Sequence, residues 1–276
     1  MSKLSTRELG VAPLSTLTTP PDEFIYLAHE VGFEFVGLRV IPVTPQEPQY
    51  DLSPGSKLHR KVTQALEDTG LQVKDAEFIL LNGSDQRTEW MTAFERAASL
   101  GARTLTVAVG ITDMAKTAEI VAQMVEAGKE FGITPAIEPI SYQGVNNLDQ
   151  AKQLAATGSL ILPDTLHLHR GGMSPQQLAD VTSHIPLIQI CGAEAQRPAT
   201  REGLVDESRG ARLAPDEGAN DVAGFVRALP REIPVSVESP NDSFVNEHGA
   251  KAWLEKLFRA GQAVIEAADA ADTANP

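Results

Sequence analysis

The sequence predicts a single closed (β/α)8 TIM barrel of the α/β class, on three observations. Apolar runs rich in β-branched residues alternate with helical stretches along the whole chain. Eight such units can be counted, and 276 residues is a length at which α/β barrels form one domain. An open, doubly wound sheet is the rival arrangement, but it usually carries a glycine-rich loop after its first strand and none follows here.

The strands are read at Leu9–Pro13, Phe35–Ile41, Val73–Leu81, Thr104–Val109, Thr134–Pro139, Leu160–Asp164, Leu187–Cys191 and Val235–Glu238. Between them apolar residues recur at helical spacing, as Phe24, Ala28 and Val31 do in the first interval and Ile120, Met124 and Ala127 in the fourth. Pro20-Pro21-Asp22 reads as a helix entry and Gly32 as its stop, a closing glycine repeated at Gly70, Gly101 and Gly132. The barrel is assigned to residues 1–266, and the small, alanine-rich stretch from Ala267 to Pro276 reads as a frayed, flexible tail. The longest stretch without strand or helix signals runs from Gly192 to Glu217 and contains Arg197, Arg201, Arg209 and Arg212. It follows strand seven, so it is expected to be an irregular loop over the mouth of the barrel, where such enzymes keep their active sites.

A formal charge of −14 repels phosphate backbones, and no basic groove offsets it, so a small molecule is a better partner than a nucleic acid. No apolar run has the form of a signal peptide or the length of a membrane span, which predicts a cytoplasmic protein with no membrane partner. Self-association is left open. Cys191 is the only cysteine, which rules out an internal disulfide, and inside a strand it reads as a small buried hydrophobe.

Four successive strands end in an oxygen donor: Glu138 in AIEPI, Asp164 in LPDTLH, Gln189 in LIQIC and Glu238 in VSVESP. The C-terminal ends of strands five to eight form one arc of a closed barrel, so these oxygens can converge. Three carboxylates and an amide suit Mn²⁺, Mg²⁺ or Co²⁺ better than zinc. The blander alternative is that each acid caps the helix after it. Glu138 and Glu238 lie among apolar residues, where an unpaired carboxylate is costly and a metal ion would offset the cost. His167, three residues past Asp164, is placed to hydrogen-bond a substrate hydroxyl or a metal-bound water. Arg209 and Arg212, with Arg39 at the end of strand two, are the candidates for closing over an anionic or hydroxyl-rich substrate.

Together these pieces resemble the xylose-isomerase-like barrel superfamily of sugar isomerases and epimerases, inosose and dehydroshikimate dehydratases and endonuclease IV. The resemblance is strongest in Glu138-Pro139 after strand five, in Asp164, Thr165 and His167 after strand six, and in Glu238 at strand eight. Strand seven usually brings a metal-binding histidine, a place taken here by Gln189. Ketose 3-epimerases carry an Arg-x-x-Pro followed by glycine that contacts substrate, matched by Arg212-Leu213-Ala214-Pro215 and Gly218. In those enzymes the two metal-binding glutamates also exchange protons on opposite faces of the substrate. The resemblance therefore implies a divalent-metal-dependent isomerase or epimerase in carbohydrate metabolism, with Glu138 and Glu238 moving protons on a keto-sugar or related polyol through a metal-stabilised enediolate. After Glu-Pro the chain reads Ile140-Ser141-Tyr142-Gln143-Gly144, which departs from the sugar-gripping segment of the ketose epimerases. A dehydratase (lyase) of the inosose or dehydroshikimate type is thus the alternative, and a barrel serving as a non-catalytic subunit is the rival class.

Overall fold

The computed structural model describes residues 7–273. Eight parallel strands, β1 (Leu9–Val11), β2 (Phe35–Arg39), β3 (Gln72–Leu81), β4 (Thr104–Val109), β5 (Thr134–Glu138), β6 (Leu160–Ile161), β7 (Ile188–Ile190) and β8 (Val235–Val237), make one sheet. Its order is β6-β5-β4-β3-β2-β1-β8-β7. The two end strands meet beyond their regular ladders, where the Gln189 amide donates to the Pro163 carbonyl at 2.9 Å and Asp164 pairs with Gln189. This is the predicted (β/α)8 barrel.

The helices are α1 (Pro21–Val31), α2 (Lys57–Thr69), α3 (Arg87–Ser99), α4 (Met114–Lys129), α5 (Leu148–Ala155), α6 (Thr165–Arg170), α7 (Pro175–Ala179), α8 (Arg201–Gly210), α9 (Val222–Arg227), α10 (Asp242–His248) and α11 (Ala250–Thr273). Strand β4 is buried along its whole length, as a strand must be when side chains fill the barrel on one face and helices cover the other. Helix α1 starts as its sequence implies, with Pro21 in the first turn beside Asp22 and Glu23, and Phe24, Ile25 and Ala28 face the core. Gly32 ends it at φ 115°, a left-handed conformation that suits glycine. No helix among the described residues is long and apolar enough to cross a membrane.

Three expectations are corrected. The first strand stops at Val11 because Pro13 cannot donate to a ladder and instead opens a 3-10 turn, Pro13–Thr16. The stretch expected to be an irregular loop contains α8, whose start is capped by the Thr200 hydroxyl accepting from the Gly203 amide at 3.0 Å. The tail expected to fray from Ala267 is helical through Thr273, and residues 274–276 lie outside the described residues. Helix α11 buries Leu254, Leu257, Val264, Ile265 and Ala268 at helical spacing, and alanine, the strongest helix former, carries the same turn pattern onward.

Candidate active site and metal centre

Because all eight strands are parallel, their C-terminal ends lie at one end of the barrel, and β5 to β8 deliver Glu138, Asp164, Gln189 and Glu238 there. All four are buried, as are His167 and Arg212. Arg212 owes its place to backbone pairing on both sides. Its own amide donates to the Pro240 carbonyl at 2.9 Å and its carbonyl accepts from Asn241 at 2.9 Å, while neighbouring Leu213 exchanges hydrogen bonds with Gly192 at the end of β7. A Cβ at Gly192 would lie 2.3 Å from the Ala214 carbonyl oxygen, so this close approach requires glycine. The segment is thereby stitched across β7 and β8 with its arginine turned inward.

The four strand-end residues are treated unequally. Asp164 is fully engaged: Oδ1 accepts from the amides of Leu166 at 2.7 Å and His167 at 3.4 Å, capping α6, while Oδ2 lies 2.5 Å from Arg212 Nη1. Glu238 is engaged on both oxygens as well, Oε2 with Arg212 Nη2 at 3.0 Å and Oε1 with Gln189 Nε2 at 3.1 Å. Arg212 also donates from Nη1 to the Glu238 carbonyl at 2.9 Å and from Nε to the Ser208 carbonyl at 2.8 Å. Glu138 differs. Its one charge-pair contact among the described residues is His167, whose Nε2 stands 3.7 Å from Oε1, too far for a hydrogen bond. The other ring nitrogen of His167, Nδ1, faces the Ser141 hydroxyl at 3.3 Å.

Burial dominates the electrostatics. It raises the Glu138 carboxyl well above the usual range, helped by the charges of Glu238 and Asp164. Glu238 is raised for the same first reason, against the pull of Arg212. At Asp164 burial acts in the same direction, but Arg212 and His167 outweigh it and hold the carboxyl low. Burial pushes His167 down to about 4, so near neutral pH its imidazole is uncharged and keeps a lone pair for a cation or a hydroxyl. Burial likewise takes the Cys191 thiol up to about 12, which leaves it inert as a nucleophile.

The residues present fit a divalent ion. Ligand atoms of Glu138, Asp164 and His167 lie within 4.8 Å of one another, and donors about 2.1 Å from an ion stand roughly 3–4 Å apart, so a small inward adjustment completes the triad. The Oε1 atom of Gln189 is buried without a hydrogen-bond partner, an unsatisfied acceptor in a dry setting. The triad includes His167, whereas Gln189 and Glu238 adjoin it from the side of Arg212.

The mouth opens on a cavity of about 370 Å³ lined by Glu77, Glu138, His167, Arg209, Arg212 and Glu238 among others, a size that suits a small molecule. Arg39 reaches it from β2 but is committed to Glu77 at 3.2 Å and Glu47 at 3.5 Å. Arg209 is exposed at the rim and makes no salt bridge among the described residues. Helix α8 roofs this side. It is fastened by the buried Arg170–Glu207 pair and by Tyr142, whose hydroxyl donates to Ser208 at 3.1 Å and whose ring meets His167 edge-on at 5.5 Å.

Sequence reasoning missed Asp75 and Glu77 of β3. Both are buried, with burial raising each carboxyl to about 7. The signal was present, since two acids spaced i, i+2 in an apolar strand face the same side. It is the argument applied above to Glu138.

Fold and site together define a class: a closed (β/α)8 barrel with a carboxylate–histidine cluster at its mouth. The chain belongs to the xylose isomerase-like TIM barrel family, which it matches over residues 25–267. No curated protein matches the sequence. Among solved structures, the IOLI protein with a binding zinc atom is 16% identical with a TM-score of 0.76, covering 94% of this chain and 98% of that one. A probable 3-DHS dehydratase, AsbF, from Bacillus anthracis is 13% identical with a TM-score of 0.72, covering 91% and 97%. An L-ribulose 3-epimerase is 14% identical with a TM-score of 0.71, covering 98% of each. Identities this low establish the shared fold.

Proposed function

We propose that this chain is an enzyme that moves protons on a keto-sugar or related polyol, as an isomerase or epimerase acting through an enediolate. The observation that carries the reading is Glu138: a buried carboxylate with no hydrogen-bond donor, facing a small-molecule cavity beside a neutral histidine. A carboxyl that protein donors leave free at the wall of a cavity is open to a cation or a substrate, and such groups are candidates for function. The zinc atom of one structural neighbour and the epimerase and dehydratase activities named for others support the same class.

A divalent ion held by Glu138, Asp164 and His167 would polarise a substrate oxygen and stabilise negative charge on it. The two carboxylates suit Mn²⁺, Mg²⁺ or Co²⁺, and the His167 imidazole also admits zinc. Glu138, made more basic by burial, takes the proton from the carbon next to the carbonyl. Glu238 lines the same cavity on the Arg212 side, so it is the group that returns a proton from the other side. His167 offers a neutral nitrogen to a hydroxyl, and Arg209 at the rim meets the outer end of the substrate.

The test is incubation of manganese-replete protein in D₂O with a panel of keto-sugars, inososes and dehydroshikimate. Deuterium entering the carbon beside the carbonyl, with a change of isomer, is the expected result. Loss of water instead would assign the lyase outcome of the same proton abstraction. No exchange and no conversion across the panel would remove the enzyme reading in favour of the non-catalytic subunit.

A further inference from the structure

Asp164 and Glu238 already hold a cation. The guanidinium of Arg212 sits between them, 2.5 Å from Asp164 Oδ2 and 3.0 Å from Glu238 Oε2, with 1% of its side chain exposed. Asp164 spends its other oxygen on the cap of α6, and Glu238 spends its other on Gln189. A divalent ion in the Glu138–Asp164–His167 triad must draw on the same Asp164 carboxylate that Arg212 grips. It would also stand within a few ångströms of a positive charge in a dry cavity, where like charges repel strongly. Both cations cannot be held well at once.

The charge balance points the same way. Glu77, Glu138, Asp164 and Glu238 face two guanidinium groups, those of Arg39 and Arg212, and Arg39 is shared with Glu47. The cluster therefore has carboxyls to spare for a third cation, yet the best-placed pair of them is already taken. Arg212 also lines the cavity, so a guanidinium leaving Asp164 has open space to enter.

We infer that Arg212 and a divalent ion compete for Asp164: the guanidinium is the resident cation of the ion-free site, and ion binding drives it from Asp164 into the substrate cavity. The inference rests on the metal-site reading above. It gives Arg212 two stations, one as counter-charge to the empty site and one against substrate, so that metal loading and substrate binding are coupled through one side chain.

The experiment is calorimetric titration with Mn²⁺ alone on the full chain, comparing wild type with Arg212→Met and Arg212→Lys. Methionine removes the charge at similar length and should tighten Mn²⁺ binding about tenfold or more, whereas lysine, a point charge that cannot span both carboxylates and sheds its proton more readily when buried, should fall between methionine and wild type. Binding to Arg212→Met that is equal to or weaker than wild type, with wild type itself binding, overturns the competition and leaves the metal site standing. No Mn²⁺ binding by any of the three overturns the metal site and the competition with it. Should Arg212→Met fold poorly, its thermal midpoint is read with and without Mn²⁺. A larger rise on adding Mn²⁺ than wild type shows supports the inference, and an equal or smaller rise overturns it.

Discussion

The two sides of the barrel mouth are built on opposite principles. On the side of β6 to β8, Asp164, Glu238, Gln189 and Arg212 make a network in which each carboxylate oxygen has a partner and only Gln189 Oε1 is left unpaired. On the side of β5, Glu138 is equally buried and has none, with His167 standing off at 3.7 Å. A paired buried network holds geometry; a carboxyl facing a cavity without a protein donor is free to react. The contrast implies that substitutions on the two sides should be felt in different quantities, stability on one and turnover on the other.

The largest expected effect is on the open side. Glu138→Gln should lower kcat by about 10²–10⁴, the usual value of a positioned acid or base, while thermal stability holds or rises because no protein hydrogen bond is lost and the acid crowded by Glu238 and Asp164 is replaced by a neutral amide. Steady-state kinetics and a melting curve decide it, and a large fall in midpoint would show Glu138 to be a structural partner after all. On the paired side, Asp164→Ala removes both the cap of α6 and one partner of Arg212. Breaking a buried pair costs about 3–5 kcal/mol, so denaturant unfolding should show a loss of that order. A loss below about 1 kcal/mol, the size of an exposed pair, would collapse the distinction between the two sides.

Asp75, deeper in the barrel, sharpens the comparison because it is both buried and partnered. The Thr104 and Thr106 hydroxyls lie 2.9 and 2.6 Å from its oxygens, and yet burial takes it to about 7. Thr104 can release its hydrogen to the Lys74 carbonyl at 3.0 Å and accept one from a protonated Asp75 instead. In the unfolded chain an aspartate titrates near about 4. Between about 4 and about 7 the folded state therefore binds the extra proton, and stability falls as pH rises through that window. Asp75→Asn should flatten this share of the slope when melting points are measured from pH 4 to 8. An unchanged profile would mean that Asp75 is ionised throughout.

What could be read in the sequence follows from what a sequence encodes locally. Strand and helix alternation, the closing glycines and the four strand-end donors are short-range patterns, and the barrel converts strand ends into one site by geometry alone. Pairing is not local. Nothing near Arg212 announces that Pro240, Asn241 and Gly192 will pin its backbone and turn it onto Asp164, which lies 48 positions away. The helical reading of 201–210 was obscured by its polarity, since only Leu204, Glu207 and Ser208 are buried there and the helix is held by a cap and an ion pair more than by an apolar stripe. Glu77 was legible by the strand period, since it shares a face with Asp75 in a largely apolar strand.

The smallest effect concerns the three arginines expected to meet substrate, which the structure separates by how committed each already is. Arg212 is held by Asp164 and Glu238, and Arg39 by Glu77 and Glu47. Arg209 alone of the three has no salt bridge among the described residues, and it stands exposed at the rim of the cavity, at the C-terminal turn of α8. A free guanidinium has no bond to give up when it meets a substrate oxygen, whereas Arg39 must first break a buried pair. A charge-assisted hydrogen bond contributes about 1.5–3 kcal/mol when shielded, and less at a wet rim. Arg209→Ala should therefore lower kcat/KM roughly tenfold, chiefly through KM, because a contact far from the reacting carbon is made equally in ground and transition states. Stability should not move, since no partner is left behind. A fall in kcat at constant KM would place Arg209 at the reacting centre, and a fall in stability would show it to be part of the paired network; either result would redraw the boundary between the two sides of the mouth.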